Sequence, residues 1–228
     1  MKTFIFSLVL VVSATLLSCN NFRSEVDSFH MMKVFEYISE FETTRDSSYL
    51  YKAQDLINKI EDNPNVYNAA KVSLFCHFKE FENAAKYFET LNDSTFSVSY
   101  QKAIGINTYM ALDAEMRKDT ILRNSYISKN IQLIQNHINS LPKADFNSYY
   151  DLFLFKSQLD ASEKTYNEFV DSMKSLGVPD QEIALLYNNL KNCSIIKIVN
   201  PFFDSEENTT EAKVMEMTEE EYIENNKQ

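Results

Sequence analysis

Cys19 is the residue of this chain best placed to do chemistry. Its thiol follows a small residue, Ser18, and closes a run of mostly apolar side chains from Phe4 to Leu17, with Lys2 as the only charge before it. A spanning helix needs roughly 20 apolar residues to cross about 30 Å of hydrocarbon. The run has fourteen, which suits the core of a secretory signal. The other residues that could act as ligands or bases are scattered. His30, His77 and His137 lie far apart, and none shares a helix turn with a second ligand at metal-site spacing. His30 falls in an apolar stripe and reads as a core or boundary histidine. The acidic pair Glu61 and Asp62 falls where a helix should end, as a solvated cap rather than an acid–base couple. Gly105 and Gly177 are the only glycines. Two glycines cannot build a dinucleotide or phosphate loop, or a nucleophile elbow. No catalytic residues and no cofactor or metal site are expected, and the chain does not read as an enzyme.

The sequence Leu16-Leu17-Ser18-Cys19 resembles the bacterial lipobox, where a large apolar residue, a tolerant position and a small residue precede a cysteine. That resemblance implies cleavage between Ser18 and Cys19, a diacylglyceryl group on the Cys19 thiol and acylation of the new amino group. Two or three acyl chains give stable anchoring, at about 0.8 kcal/mol per buried CH₂. An ordinary cysteine beside a conventional signal cleavage site is the other reading. Asn20 follows the cysteine. The Asp that keeps enterobacterial lipoproteins at the inner membrane is absent, which points to the outer membrane with its face left open.

The organisation expected is a signal at 1–18, a lipidated tether at 19–24, a helical domain at 25–203 and an acidic tail at 204–228. With so few glycines and only four prolines, the fold class is all-α, with about nine helices. A stripe from Val26 through Phe29, Val34, Tyr37, Ile38 and Phe41 marks the first helix. "TTRDSS" should end it. Leu50, Ala53, Ile57 and Ile60 mark the second, closed by "EDNPN", with Pro64 opening the third. Tyr67, Ala70, Leu74, Phe75 and Phe78 form the third stripe, and Phe81, Ala84, Phe88 and Leu91 the fourth. Five more helices are predicted at about 96–117, 120–140, 145–160, 162–176 and 180–193. Asp93 or Ser94 should cap the first of these and Asp180 the last. The run "SIIKIVNPFF" reads as a short extended segment folding Phe202 and Phe203 back onto the body.

Leu50-x2-Ala53-x3-Ile57-x2-Ile60 and Phe81-x2-Ala84-x3-Phe88-x2-Leu91 share one spacing, offset by 31 residues. The second lies within "FKEFENAAKYFETL". This pattern resembles the second helix of the tetratricopeptide repeat, whose period is about 34 residues. It implies stacked antiparallel helical hairpins with one curved surface free. A small Ala lets two helices approach, and large residues one turn away fill the groove. Tyr166-x2-Phe169-x3-Met173-x2-Leu176 keeps the frame with Phe in the Ala slot. Tyr100-x2-Ala103-x3-Asn107 keeps only the Ala. An irregular helical bundle remains the alternative.

Lys2 is the only charge in residues 1–18, so their removal takes the net charge from −11 to −12. Such an acidic chain with no basic run is a poor match for nucleic acid. Cys76 and Cys193 could form a bridge or stay as separate buried thiols. Tyr149, Tyr150 and Phe153, in "SYYDLFLF", are either core or, if exposed, the candidate binding surface. Asp204 to Gln228 carries nine acidic and two basic residues, and reads as a solvated tail. Asp93-Ser94-Thr95, Asp119-Thr120-Ile121 and Asp171-Ser172-Met173 resemble the periplasmic O-glycosylation motif of the Bacteroidota. Together these features lead to the expectation of a lipid-anchored envelope scaffold that binds a protein or peptide partner. Three other lipoprotein classes stay open: outer-membrane assembly factors, nutrient-uptake accessories and toxin-neutralising proteins.

Overall fold

The computed structural model describes residues 25–61, 65–96, 98, 100–143, 145–192 and 218, with Asn65 and Val66 described in the backbone only. Ser18, Cys19, Cys193, the extended run at 194–203 and the tail except Thr218 lie outside the described residues. Among the described residues the chain is all-α, with no strand.

Nine α-helices follow one another among the described residues: α1 (Glu25–Thr44), α2 (Ser48–Ile57), α3 (Asn65–His77), α4 (Phe81–Thr90), α5 (Gln101–Met116), α6 (Thr120–Ser140), α7 (Phe146–Leu159), α8 (Glu163–Ser175) and α9 (Asp180–Lys191). They divide into two compact units, α1 to α3 ending at Lys79 and α4 to α9 beginning at Glu80. The division falls inside "FKEFENAAKYFETL", so the two halves of that hairpin belong to different units.

In the first unit each helix packs on both others. The stripes read from the sequence meet: Val34 and Ile38 of α1, Leu50, Ala53 and Ile57 of α2, and Ala70 and Leu74 of α3 form one buried cluster. Fully burying side chains such as Val, Leu and Ile contributes about 1.5–3 kcal/mol each. Tyr37, Phe41, Tyr67 and Phe78 close its edge. Cys76 is a free, buried thiol, and burial pushes its pKa up to about 12.

In the second unit each helix packs on the next, and α9 also reaches α7. Phe81, Ile104, Ile127, Ile134, Phe155, Phe169, Met173 and Leu186 are its large buried side chains. The helix starts are chemically specified. Asp119 accepts from Leu122 N at 2.9 Å, Asp145 from Ser148 N at 2.9 Å and Ser162 from Thr165 N at 3.4 Å. Each such cap contributes about 1 kcal/mol.

The links alternate in length. Three residues join α1 to α2, α3 to α4, α5 to α6 and α7 to α8, while four to ten join each of these pairs to the next helix. Three of the short turns hold a basic residue at positive φ: Arg45 at 60°, Lys79 at 59° and Lys118 at 60°.

Three local expectations are corrected. Asn92, not Asp93 or Ser94, caps the break after α4: it accepts from Ser94 N at 3.0 Å over a 3₁₀ turn, Asp93–Thr95. The helix expected at 96–117 starts later, at Gln101, with Tyr100 in the N-cap position. Asp180 is the first residue of α9, and Pro179 holds the N-cap position with no side-chain cap bond. Asp180 still places a negative charge at the positive end of the helix dipole.

Candidate interaction surface

Of the three aromatic rings singled out in α7, Tyr150 is 4 % exposed and Phe153 2 %, and Tyr149 is half-buried. The physical reason is position. α7 packs on α6, α8 and α9, so neighbours cover most of its circumference. Phe169 of α8 sits edge-on to Phe153 at 5.5 Å and tilted to Tyr150 at 6.3 Å between ring centroids. The Lys156 ammonium lies 4.9 Å from the Phe153 centroid. The rings of Tyr150 and Phe153 are therefore core, and Tyr149 alone of the three reaches solvent.

The exposed apolar side chains of the second unit lie elsewhere. Ile121 is 87 % exposed, Leu185 on α9 54 %, Met116 53 % and Leu159 39 %. Met116 ends α5, Ile121 is the second residue of α6, and Leu159 ends α7. Arg123 holds these three ends together: its Nη1 donates to the Gln158 carbonyl at 3.3 Å, and its Nε lies 3.5 Å from Glu115 Oε2. Met116, Ile121 and Leu159 thus sit at helix ends that Arg123 links. Periodicity could not find them, because they sit at helix ends where no stripe is repeated.

A polar cluster joins α5, α6 and α7 through Tyr100, His137, Asp145, Ser148 and Asp151. The Tyr100 hydroxyl lies 3.4 Å from both Ser148 Oγ and Asp151 Oδ2. Ser148 Oγ donates to Asp145 Oδ2 at 2.6 Å. The His137 ring sits edge-on to Tyr100 at 4.7 Å. Burial and the Asp151 charge push the Tyr100 pKa up to about 12, so the phenol keeps its proton. Burial raises Asp145, but hydrogen bonds from the Ser148 side chain and backbone outweigh it and leave the carboxyl below its usual range. A carboxylate held low is a weak base, and it is the group that receives the Ser148 proton. The cluster therefore fastens three helices together.

The remaining histidines are placed as follows. His30 is half-buried beside Phe29. The His77 side chain is 3 % exposed and faces Glu42. No group of three or more His, Cys, Asp or Glu that could hold a metal occurs among the described residues. None of the described helices is long and apolar enough to cross a membrane.

No known family model matches the chain, and neither a curated protein nor a solved structure matches it.

Proposed function

We propose that this chain is a lipid-anchored interaction protein of the cell envelope. Cys19 holds it at the membrane, in keeping with an outer-membrane location, and its helical surface engages a protein or peptide partner. The observation that carries the anchoring is the order Lys2, Phe4 to Leu17, then Leu16-Leu17-Ser18-Cys19. The exposure of Met116, Ile121 and Leu159 at helix ends that Arg123 links supports the partner reading, since apolar groups left in water are what an interface covers.

Three features support a tetratricopeptide-like reading of the architecture. Short and long links alternate. The positive-φ turn residues Arg45 and Lys79 are 34 positions apart, the period of that repeat being about 34. The small residues Ala53 and Ala84 are both fully buried.

Metabolic labelling with radioactive palmitate tests the anchor. The wild-type chain should incorporate label, and Cys19→Ala should not and should stay as the uncleaved precursor. Labelled Cys19→Ala would sink the assignment. Crosslinking in intact cells, followed by recovery of the chain from membranes, tests the partner. A discrete crosslinked species lost in an Ile121→Glu, Met116→Glu variant that still folds is the expected result. A chain that stays monomeric and uncrosslinked at every crosslinker length would refute the scaffold role.

A further inference from the structure

We propose that Glu42 and His77 form a neutral pair in the folded protein, sharing one proton across the α1–α3 contact. Folding then moves that proton from the imidazole to the carboxylate. The pair lies wholly within the first unit and does not depend on the functional reading above.

The geometry comes first. Glu42 is in the last turn of α1 and His77 is the last residue of α3, and Glu42 Oε1 and His77 Nε2 are 3.5 Å apart. Both atoms are buried, and neither has another hydrogen-bond partner. The side chains are 17 % and 3 % exposed, and the Phe41 ring meets the imidazole edge-on at 5.3 Å. Two buried polar atoms with only each other must share a proton or remain unsatisfied.

Burial decides how the proton is shared, because it penalises each charged form. It raises Glu42 from 4.5 to about 7, with Arg45 pulling the other way. It lowers His77 from 6.5 to about 4, and Arg45 adds to that. The carboxylic acid therefore donates to a neutral imidazole, whose own proton sits on Nδ1. This is not the ion pair that the distance alone suggests.

The surrounding groups leave this balance in place. Arg45, just past α1, is the charged group acting on both members. On α2, Lys52 lies over the Tyr37 and Tyr49 rings, and Tyr51 packs on Phe78. On α1, Lys33 pairs with Glu36. On α3, Lys71 donates to Tyr67, and the Cys76 thiol keeps its proton.

The linkage has two opposing parts. Glu42 alone, with its pKa raised on folding, loses stability as pH rises from 4.5 to about 7. His77 alone, with its pKa lowered, loses stability as pH falls from 6.5 to about 4. Together they bind one proton in both states between pH 4.5 and 6.5, so the pair contributes no pH dependence there. Either residue without the other exposes its own slope.

The test uses the full chain. Urea unfolding is followed at a series of pH values for the wild type, Glu42→Gln and His77→Gln, and the imidazole tautomer is read by ¹⁵N NMR at pH 5.5. The wild type should show a neutral Nδ1–H imidazole for the signal that His77→Gln removes. Relative to the wild type, the folding constant of Glu42→Gln should fall as pH drops from about 7 to 4.5, as the slope of His77 is left uncompensated. That of His77→Gln should fall, relative to the wild type, as pH rises from about 4 to 6.5. Each change should approach about two orders of magnitude at full range. An imidazolium at pH 5.5 for His77, assigned by triple-resonance spectra of the wild type if the variant does not fold, would overturn the proposal. Two variants with the same slope would also overturn it.

Discussion

The ring of Phe88 lies directly over Gly105. A Cβ built on Gly105 would meet Phe88 Cε1 and would come within 2.8 Å of Cδ1. This contact sets how closely α4 and α5 approach. The ring has little freedom to retreat, because Phe96 and Tyr109 each lie 5.4 Å from it, centroid to centroid.

Gly105→Ala should therefore destabilise the protein. Ala is favoured over Gly in a helix by about 0.5–1 kcal/mol, but overpacking costs about 1–3 kcal/mol. In a Phe88→Ala background the same change should stabilise, because only the helix preference remains. Denaturant midpoints of the four proteins settle the sign. Gly105→Ala raising the midpoint in both backgrounds would show that the ring moves freely.

Ala84 and Ala53 are both 0 % exposed. Ala84→Leu should lower stability by about 1–3 kcal/mol, and Ala53→Leu by a similar amount. Lys86→Leu, on the exposed face of α4, should stay within about 0.5 kcal/mol of wild type. Thermal unfolding by circular dichroism distinguishes them. Equal melting curves for Ala84→Leu and Lys86→Leu would contradict the close crossing.

Lys118 is exposed and holds φ at 60°, a conformation that costs an L-residue about 1–2 kcal/mol and glycine little. Lys118→Gly should stabilise by about 1 kcal/mol, less whatever the added freedom of the unfolded chain removes. Gly177 has φ 78° and open space at its Cβ, so Gly177→Ala should destabilise by about 1 kcal/mol through backbone strain alone. Urea midpoints moving in the same direction for both substitutions would refute the account.

Asn130 is fully buried in α6. Its Nδ2 donates to the Ile104 carbonyl at 3.3 Å and to Thr108 Oγ1 at 3.0 Å, and its Oδ1 accepts from Asn107 at 2.9 Å. Asn130→Ala removes these three bonds from the buried network, leaving the Thr108 hydroxyl only its bond to the Ile104 carbonyl, and should cost about 2 kcal/mol. Asn107→Ala, at a half-buried position, should cost less. Equal midpoints for the two variants would show that the network adds nothing beyond its half-buried member.

Asn130 also sits in a spacing shared with α2 that apolar periodicity could not pick out. Ile127, Asn130 and Ile134 repeat the spacing of Leu50, Ala53 and Ile57, and all six are at most 2 % exposed. The polar Asn hides the frame, since only the fold supplies Thr108 and the Ile104 carbonyl to satisfy it. Tyr100-x2-Ala103-x3-Asn107, which kept the Ala, begins at the N-cap of α5, and its Ala103 and Asn107 are only half-buried. By contrast, Tyr166, Phe169 and Met173 are buried on α8, a helix that follows a three-residue turn as α2 and α4 do.

The sequence by itself determined the all-α class and most helix limits. Those depend on local physics: apolar spacing and scarce glycine. The core of the first unit was legible for the same reason, as stripes with spacing near 3.6 residues had to meet. Tertiary structure decided which aromatic rings are covered. Tyr149 and Tyr150 are neighbours in one helix, and only the packing of α6, α8 and α9 on α7 separates core from surface. It also brought Glu42 beside His77, 35 positions away, and placed Ile121 in water. Burial of a given side chain depends on contacts between distant segments, which local spacing does not encode.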